Sequence, residues 1–250
     1  MKKFTKILAL VMALVFVVTA FAACGGTKNE GKEKLIMGTN AAFPPYEYYE
    51  GDKIVGIDAE VGALIAEKLG MDFEIMDMDF NGIISAVQNG VVDIGMAGMT
   101  VREDRLEHVN FSTTYAKGVQ VVIVKEGSDI VTLDDLTGKK IGVQEATTGD
   151  AYASEDYGEE NVKRYTNGAA AVAALQNGIV DAVIIDNEPA KAFVEANEGL
   201  TILETAYADE EYAIAVAKEN TELLKKINTA LAELTADGSI DAIVNNYIPA

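Results

Sequence analysis

Two charged residues of opposite sign each follow an apolar segment that is typical of a buried strand. Arg105 comes shortly after the predicted strand 91–96, and Asp186 comes directly after the predicted strand 179–185. An Arg side chain can hold a carboxylate through two parallel charge-assisted hydrogen bonds, which a Lys side chain cannot reproduce. An Asp carboxylate supplies the counter-charge for an ammonium group. A small ligand that carries both groups would satisfy both residues.

The elements that must position these two residues occur twice in the chain. Segment 85–93 (SAVQNGVVD) is matched 88 positions later by segment 173–181 (AALQNGIVD). Each copy predicts a helix that stops at a glycine and is followed by an apolar strand. The strand ends then differ, because Gly98 in the first copy falls on Asp186 in the second. We expect two similar half-molecules that present different polar strand ends to one shared ligand.

Strands and helices alternate along the rest of the chain with short connections, a pattern typical of open α/β sheets. One predicted helix follows Gly56, with Asp58 as its N-cap. Ligands of such sheets bind beyond the carboxyl ends of the strands, where the strand order reverses. That rule selects four loops, at residues 40–46, 97–105, 144–149 and 186–188.

Each further candidate in or beside these loops has a group that could contact the same ligand. The group is a hydroxyl, a backbone N–H or carbonyl, an aromatic ring, or the close backbone approach that a glycine permits. These candidates are Phe43, Phe80, Ala97, Gly98, Thr100 and Thr148. Each candidate also has an ordinary structural explanation, since Arg105 could form a surface salt bridge and Asp186 could cap a helix.

The composition limits the classes of partner. The chain has 250 residues, which suffices for one large or two modest domains, and a net charge of −20. Such an acidic surface repels phosphate backbones, which argues against nucleic acid as a partner. Solubility alone would also account for the acidity. No motif requires a cofactor or a metal ion, and the single His, His108, lies in a charged stretch that is typical of a surface.

The N-terminus has the pattern of a secretion signal. Three lysines precede an apolar run over residues 7–23, and small residues lead into Cys24, the single Cys of the chain. This pattern predicts a lipoprotein signal peptide over residues 1–23, with the Cys24 thiol lipidated at the outer face of the cell membrane. Phe21 departs from the usual aliphatic residue, and an ordinary secretory signal remains the alternative. Residues 24–33 are polar and predict a flexible tether.

Several motifs together resemble the family 3 extracellular solute-binding proteins of polar amino-acid ABC transporters, the glutamine/histidine/arginine type. The resemblance begins near Lys34 and extends to the end of the chain. The motifs are GIDAEV (56–61), DFNGII (79–84), DIGMAGMT (93–100) with Arg105, FS (111–112), QEATT (144–148) and DAVIID (181–186).

The resemblance implies a role for each matched position. One group would hold the backbone groups of an amino acid: Ala97, Gly98, Thr100, Arg105, Thr148 and Asp186. A second group would shape the pocket for its side chain: Asn40, Phe43, Phe80 and Gln144. The position of Asn40 often carries an Asp in the family, so its amide favours an uncharged polar ligand such as glutamine. Glu47 could restore the lost charge, which makes arginine and lysine the next candidate ligands after glutamine.

The resemblance also implies a fold and a mechanism. The fold would be the two-lobed periplasmic-binding-protein fold (type II), in which two open α/β sheets are joined by two crossing strands near residues 116–119 and 211–213. Lobe 1 would comprise residues 34–117 and 213–250, and lobe 2 residues 118–212. Periplasmic binding proteins are established examples of hinge closure around a ligand. A monomer would capture the amino acid and deliver it to the permease subunits.

Three other classes of protein are alternatives. An enzyme of this fold, similar to a dehydratase, could act on a small carboxylate through an acidic side chain, but no nucleophile with a paired His stands out. A sensor ectodomain would need a further membrane span, and no later apolar run is long enough. An adhesin would have no use for a buried Arg and Asp pair. The favoured interpretation is a binding protein that is not an enzyme.

Overall fold

A computed structural model of the protein describes residues 33–249, and residues 34–249 belong to one compact unit. The predicted signal peptide, Cys24 and almost all of the predicted tether lie outside the described residues. Among the helices of residues 33–249, none has the length and apolar character needed to cross a membrane.

The described chain contains fourteen strands and eight α-helices. The strands are β1 (Lys34–Thr39), β2 (Ala42–Phe43), β3 (Glu47–Glu50), β4 (Lys53–Val55), β5 (Asp72–Asp77), β6 (Ile94–Gly95), β7 (Val109–Phe111), β8 (Ala116–Lys125), β9 (Ile141–Gln144), β10 (Val162–Tyr165), β11 (Ala182–Asp186), β12 (Leu200–Ile202), β13 (Ala208–Tyr212) and β14 (Ala215–Ala217). The helices are α1 (Ile57–Leu69), α2 (Phe80–Gln88), α3 (Glu103–Leu106), α4 (Thr148–Tyr157), α5 (Gly168–Gln176), α6 (Asn187–Ala196), α7 (Thr221–Ala236) and α8 (Ser239–Tyr247).

Two sheets of the same design form the framework. The first sheet has the order β5-β1-β6-β14-β7, and the second has the order β10-β9-β11-β8-β12. The strand that follows each repeated helix, β6 or β11, lies between a parallel neighbour, β1 or β9, and an antiparallel neighbour, β14 or β8. This architecture confirms the predicted two-lobed α/β fold. The repeat in the sequence is therefore a repeat of sheet topology.

Apolar helix faces cover both sheets. In α1, Ile57, Val61 and Ile65 are fully buried, and they belong to the same core cluster as Leu35 and Met37 of β1. These side chains recur at helical spacing on one face of α1, while those of β1 alternate along the strand. Each sheet thus has a firm core from which its loops project at the strand ends.

The chain passes from one sheet to the other twice. It leaves the first sheet after β7 and enters the second at β8, and it returns between β13 and β14. Strands β8 and β13 pair antiparallel, with Ala116 opposite Tyr212 and Ala208 opposite Gln120. The segments predicted to cross, 116–119 and 211–213, lie in or directly beside this paired ribbon.

Two local predictions are wrong. The N-cap of α1 is Gly56 and not Asp58. The backbone of Gly56 has φ 122, and a Cβ atom there would approach the Tyr46 carbonyl oxygen to 2.3 Å, so the chain enters the helix at a position that only glycine fits. Asp58 lies inside the first turn and is fully buried. The strand predicted over residues 91–96 is reduced to β6, because the N–H groups of Val91 and Val92 bond to the Ala86 carbonyl at the end of α2, and Gly98, with φ 55, turns the chain beyond the strand.

Candidate functional site

A cavity lies where loops of the two sheets face each other. Nine of the ten predicted ligand-binding residues line it, together with Glu47 and with Thr147, which the sequence did not single out. The nine are Asn40, Phe43, Phe80, Ala97, Gly98, Arg105, Gln144, Thr148 and Asp186. The topology therefore brings residues from all four predicted loops to one place.

Arg105 is the buried cation of the cavity. It lies on α3 and is 6% exposed, and its guanidinium is 5.3 Å from the centre of the Phe80 ring. Nη1 donates to the Thr100 carbonyl at 2.8 Å and Nη2 donates to the Ala146 carbonyl at 3.0 Å. Burial lowers the pKa of Arg105 to about 10, so the group stays charged at neutral pH. A guanidinium has five N–H donors, so this one is held in place with donors to spare for a carboxylate.

Asp186 ends β11 on the other side of the cavity. One carboxylate oxygen accepts a hydrogen bond from the Tyr212 hydroxyl, and the other accepts from Gln120 Nε2 at 2.6 Å. Burial, and then the charge of Glu210, raise the pKa of Asp186 to about 7. None of the salt bridges between described residues involves Asp186. An ammonium group placed in the cavity would supply the cation that this carboxylate lacks.

A second buried acid, Glu47, lines the same cavity. It is 1% exposed, and among residues 33–249 no N–H or hydroxyl group donates a hydrogen bond to its carboxyl oxygens. The Asp58 carboxyl is close enough to share a proton with it. Burial, and then the nearby charge of Asp58, raise its pKa well above the usual value. Asp58 is better satisfied, since it accepts hydrogen bonds from the Gly98 N–H at 2.9 Å and from the Tyr115 hydroxyl at 2.8 Å. A carboxyl group buried without a donor is costly, and a cationic or donor-rich ligand group would offset that cost.

Hydrogen bonds join the loops of the two sheets around the cavity. Gln144 Nε2 donates to Asn40 Oδ1 at 3.0 Å, and Asn40 Nδ2 donates to the Met78 carbonyl at 2.9 Å. Arg102 Nη1 donates to the Thr147 carbonyl at 3.1 Å. The Gln144–Asn40 and Arg102–Thr147 contacts join loops of the two sheets, and the Asn40–Met78 contact fixes Asn40 within the first sheet.

Comparisons with known proteins agree with this architecture. Residues 35–250 match the model of the bacterial extracellular solute-binding proteins, family 3. The chain belongs to this family. It is 33% identical over 252 residues to the arginine-binding extracellular protein ArtP of Bacillus subtilis, with 99% of this chain and 98% of that protein covered.

Solved structures agree with the family assignment. An ancestral arginine-binding protein bound to glutamine shares 41% identity and a TM-score of 0.83, covering 88% of this chain and 99% of that one. The arginine-, lysine-, histidine-binding protein ArtJ of Geobacillus stearothermophilus shares 34% identity and a TM-score of 0.83, covering 87% and 96%. The predicted family and the predicted class, a binding protein and not an enzyme, are thus confirmed.

The side chain of Thr100 lies outside the cavity of this solute-binding protein. Its hydroxyl donates to Glu210 Oε2 at 3.0 Å, and its carbonyl accepts a hydrogen bond from Arg105.

Thr148 begins α4, where the Thr147 hydroxyl caps the helix by accepting from the Asp150 N–H at 3.2 Å. The first turn of α4 thus faces the cavity with its positive end, as expected for an anion-binding helix start.

Sequence reasoning missed three polar residues around Asp186: Gln120, Glu210 and Tyr212. All three are at least nine-tenths buried, at 1%, 5% and 0% exposed. They lie on the paired strands β8 and β13. A buried Gln within an apolar strand was an available signal, since an amide rarely lies in a core without a polar partner. The partner itself could not be named without knowing how the two strands pair.

Proposed function

We propose that this solute-binding protein captures an L-α-amino acid, with the carboxylate at Arg105 and the ammonium at Asp186, and delivers it to the permease of an ABC importer. The observation that carries the proposal is the burial of these two opposite charges on facing walls of one cavity. Thr148 and the first turn of α4 would add N–H donors to the carboxylate. Known relatives that bind arginine or glutamine support the same ligand class.

For the ligand side chain, we propose a cationic group, with arginine as the first candidate. A zwitterion neutralises Arg105 and Asp186, but it leaves the Glu47 carboxyl without a donor. A guanidinium or a second ammonium would supply that donor. The glutamine favoured by Asn40 remains the second candidate, because the amides of Asn40 and Gln144 face each other at the cavity wall and can exchange hydrogen bonds with a ligand amide.

The amino-acid proposal is tested by thermal denaturation against the twenty L-amino acids. A ligand at 100 times its Kd adds about 2.7 kcal/mol to the free energy of unfolding. Arginine should give the largest rise in melting temperature, and agmatine, which lacks the carboxylate, should give little or none. If no amino acid raises the melting temperature, the proposal fails.

The side-chain proposal has a separate test. Glu47→Gln removes the acid but keeps its size, so arginine affinity should fall about tenfold or more while glutamine affinity is held or rises. Isothermal titration calorimetry measures both. The exposed Glu50→Gln variant, at the end of the same strand β3, is the matched control. Equal arginine affinity in wild type and Glu47→Gln would exclude Glu47 from ligand selection.

The family acts outside the cytoplasm, and we propose that a lipid on Cys24 keeps this member at the outer face of the membrane. Cys24→Ser should release the protein into the medium or periplasm, and full retention in the membrane fraction would contradict the anchor. We further propose that a monomer closes between lobe 1 (34–117 and 213–250) and lobe 2 (118–212). Small-angle X-ray scattering should show a smaller radius of gyration after ligand is added.

A further inference from the structure

A chain of polar contacts runs behind the cavity and joins the two opposite charges that line it. Arg105 Nη1 donates to the Thr100 carbonyl, and the Thr100 hydroxyl donates to Glu210 Oε2. Gln120 Nε2 then donates to the same Glu210 oxygen at 3.1 Å and to Asp186 Oδ2 at 2.6 Å. The two candidate ligand contacts are therefore connected through Glu210, which does not line the cavity.

Glu210 occupies the middle of the ribbon between the two sheets. It lies on β13 opposite Gly118 of β8, and it is 5% exposed. Within the described part of the chain no donor meets hydrogen-bond geometry at its Oε1 atom, although the Tyr152 hydroxyl lies close to the carboxylate. A buried carboxylate with one unpaired oxygen is costly to keep, so a purely structural role would be better served by an amide.

Gln120 presents one amide nitrogen to two carboxylates. That nitrogen carries two hydrogens, which match the oxygens of Asp186 and Glu210. The amide thus fixes the direction of the Asp186 carboxylate and also holds a second negative charge close to it. Removing the charge at Glu210 would leave the first effect and abolish the second.

We propose that Glu210 is a positioning residue which, through Gln120, orients Asp186 and whose negative charge makes amino-acid capture depend on pH near neutrality. The proposal rests on the proposed function, in which Asp186 receives the ligand ammonium. Ligand binding would then require an ionised Asp186, and a protonated Asp186 would have to lose its proton as the ammonium arrives.

The surroundings of Asp186 single out Glu210 as the charge to change. The charged and titratable groups around this carboxylate are Glu210 and Tyr212 on β13, Tyr46 and Glu47 at the start of β3, Glu188 on α6 and Arg105 across the cavity. After burial, the charge of Glu210 is the main cause that raises the pKa of Asp186. Arg105 and Tyr152 are the ionisable groups that face Glu210 from the other elements.

The test is calorimetric titration of the full chain with glutamine at pH 7.5 and pH 6.0, because its uncharged side chain does not require an ionised Glu47, whose pKa is also raised. Wild-type affinity should fall by about an order of magnitude at the lower pH, because a carboxyl with a pKa of about 7 is then mostly protonated. In Glu210→Gln the fall should be less than about threefold, since the pKa of Asp186 drops. Repeating the titration in two buffers of different ionisation enthalpy should show that wild type releases more protons at pH 6.0 than the variant does.

Glu211→Gln is the matched control, because Glu211 is the next residue of β13 and is exposed. It should reproduce the wild-type pH profile and proton release. Two results would overturn the proposal. A Glu210→Gln variant that loses affinity equally at both pH values would show that Glu210 only supports the fold. A variant with the wild-type profile would show that its charge does not reach Asp186.

Glu210→Leu provides a second variant that also removes the charge. It leaves the Thr100 hydroxyl and the Gln120 amide without this acceptor, which lowers stability but does not restore the pH dependence. It should flatten the pH profile in the same way. The wild type alone is also decisive, because glutamine binding that is equal at pH 6.0 and pH 7.5 would contradict the inference and leave the proposed function intact. Failure of the proposed function has a different signature, namely no amino-acid binding at either pH.

Discussion

The two copies of the repeat fold into the same structure over most of their length. Helices α2 and α5 both have nine residues and lie 88 positions apart. Each is followed by an Asn, Asn89 or Asn177, whose Nδ2 donates to the carbonyl four residues earlier at 2.8 Å. Each strand is then preceded by an Asp that accepts a backbone N–H at 2.8 Å, in Asp93 and Asp181. These residues are retained for the scaffold.

The copies differ at the end that faces the cavity. The first residue of α2 is Phe80, which packs under Arg105, whereas the first residue of α5 is Gly168, where a Cβ atom would approach Ile185 Cδ1 to 2.5 Å. The strand of the second copy runs on to Asp186, while that of the first stops early and turns at Gly98. Helix, glycine turn and strand start thus build the scaffold, and the residues beyond them are free to acquire complementary chemistry.

Among the substitutions that test this difference between the copies, Asp186→Asn should have the largest effect on amino-acid affinity. The amide keeps the size of the side chain but removes the counter-charge, so amino-acid affinity should fall about 100-fold, a value within the range for breaking a buried charge pair. Asp181→Asn in the same copy is the control and should change affinity by less than about twofold. Calorimetric titration gives both values. Retained affinity in Asp186→Asn would mean that the two strand ends do not divide the ligand as proposed.

The same carboxylate should make the empty protein less stable as the pH rises. The folded pKa of Asp186 is about 7 and its unfolded value is 3.8, so the folded state binds the proton more tightly. Stability is therefore lost as pH rises from about 4 to about 7 and is constant above, by about 2 kcal/mol between pH 5 and pH 8. Asp58 and Glu47, whose pKa values are also raised, act in the same direction.

Urea denaturation of the ligand-free protein at pH 5 and pH 8 measures this loss. Asp186→Asn should reduce this loss of stability, because the variant has no titratable carboxyl group at position 186. Saturating arginine should also reduce it, since the ammonium stabilises the ionised form. A wild-type protein that is more stable at pH 8 than at pH 5 would contradict the prediction.

Gly98→Ala should weaken binding about tenfold. The residue has φ 55, and its Cβ atom would lie 2.8 Å from the Phe43 ring, so both the backbone and a cavity wall would have to shift. The first copy would then lose the close packing of the Gly98 backbone against Phe43. The matching position in the second copy, Asp186, does not depend on such packing. Gly82→Ala, in α2 with nothing within 4 Å of its Cβ position, is the control and should leave affinity unchanged. Equal affinities in the two variants would remove Gly98 from the site.

Gly90→Ala and Gly178→Ala should have the smallest and most similar effects. Their φ values are 66 and 69, and neither Cβ atom would meet a close contact. Each substitution should lower the free energy of unfolding by about 1 kcal/mol through backbone strain alone, with no change in amino-acid affinity. Chemical denaturation measures the losses. Clearly unequal losses would show that the two copies do not share one scaffold in energetic terms.

Much of this organisation could be predicted from the sequence, because local patterns encode it. The 88-residue repeat, the glycine stops and the strand-end rule were sufficient to find two open α/β sheets and seven of the nine cavity residues. The other two, Asn40 and Gln144, and the two-lobed arrangement were predicted only from the resemblance to the solute-binding family. The errors have physical causes. The hydrogen bonds of Asp58 are made to Gly98 and Tyr115, which are 40 and 57 residues away in the chain. A local N-cap pattern cannot report such partners.

The contacts between β8 and β13 behind Asp186 could not be predicted from the sequence for the same reason. Gln120 and Glu210 meet across 90 residues of chain. Their contact depends on which residue of β8 lies opposite which residue of β13, and a shift of one position would turn every side chain to the other face. Nothing in either segment alone specifies that register.

The two passages between the sheets also affect the order in which the molecule can be assembled. Strand β14 lies between β6 and β7, so the first sheet lacks an internal strand until residues 215–217 are present. The strands of the second sheet are all contained between Ala116 and Tyr212. A chain that emerges from its N-terminus can therefore complete the second sheet while the first still has an open gap. Until residues 215–217 arrive, β6 and β7 have unpaired edges, which are the sites where an unfinished chain is exposed to mispairing.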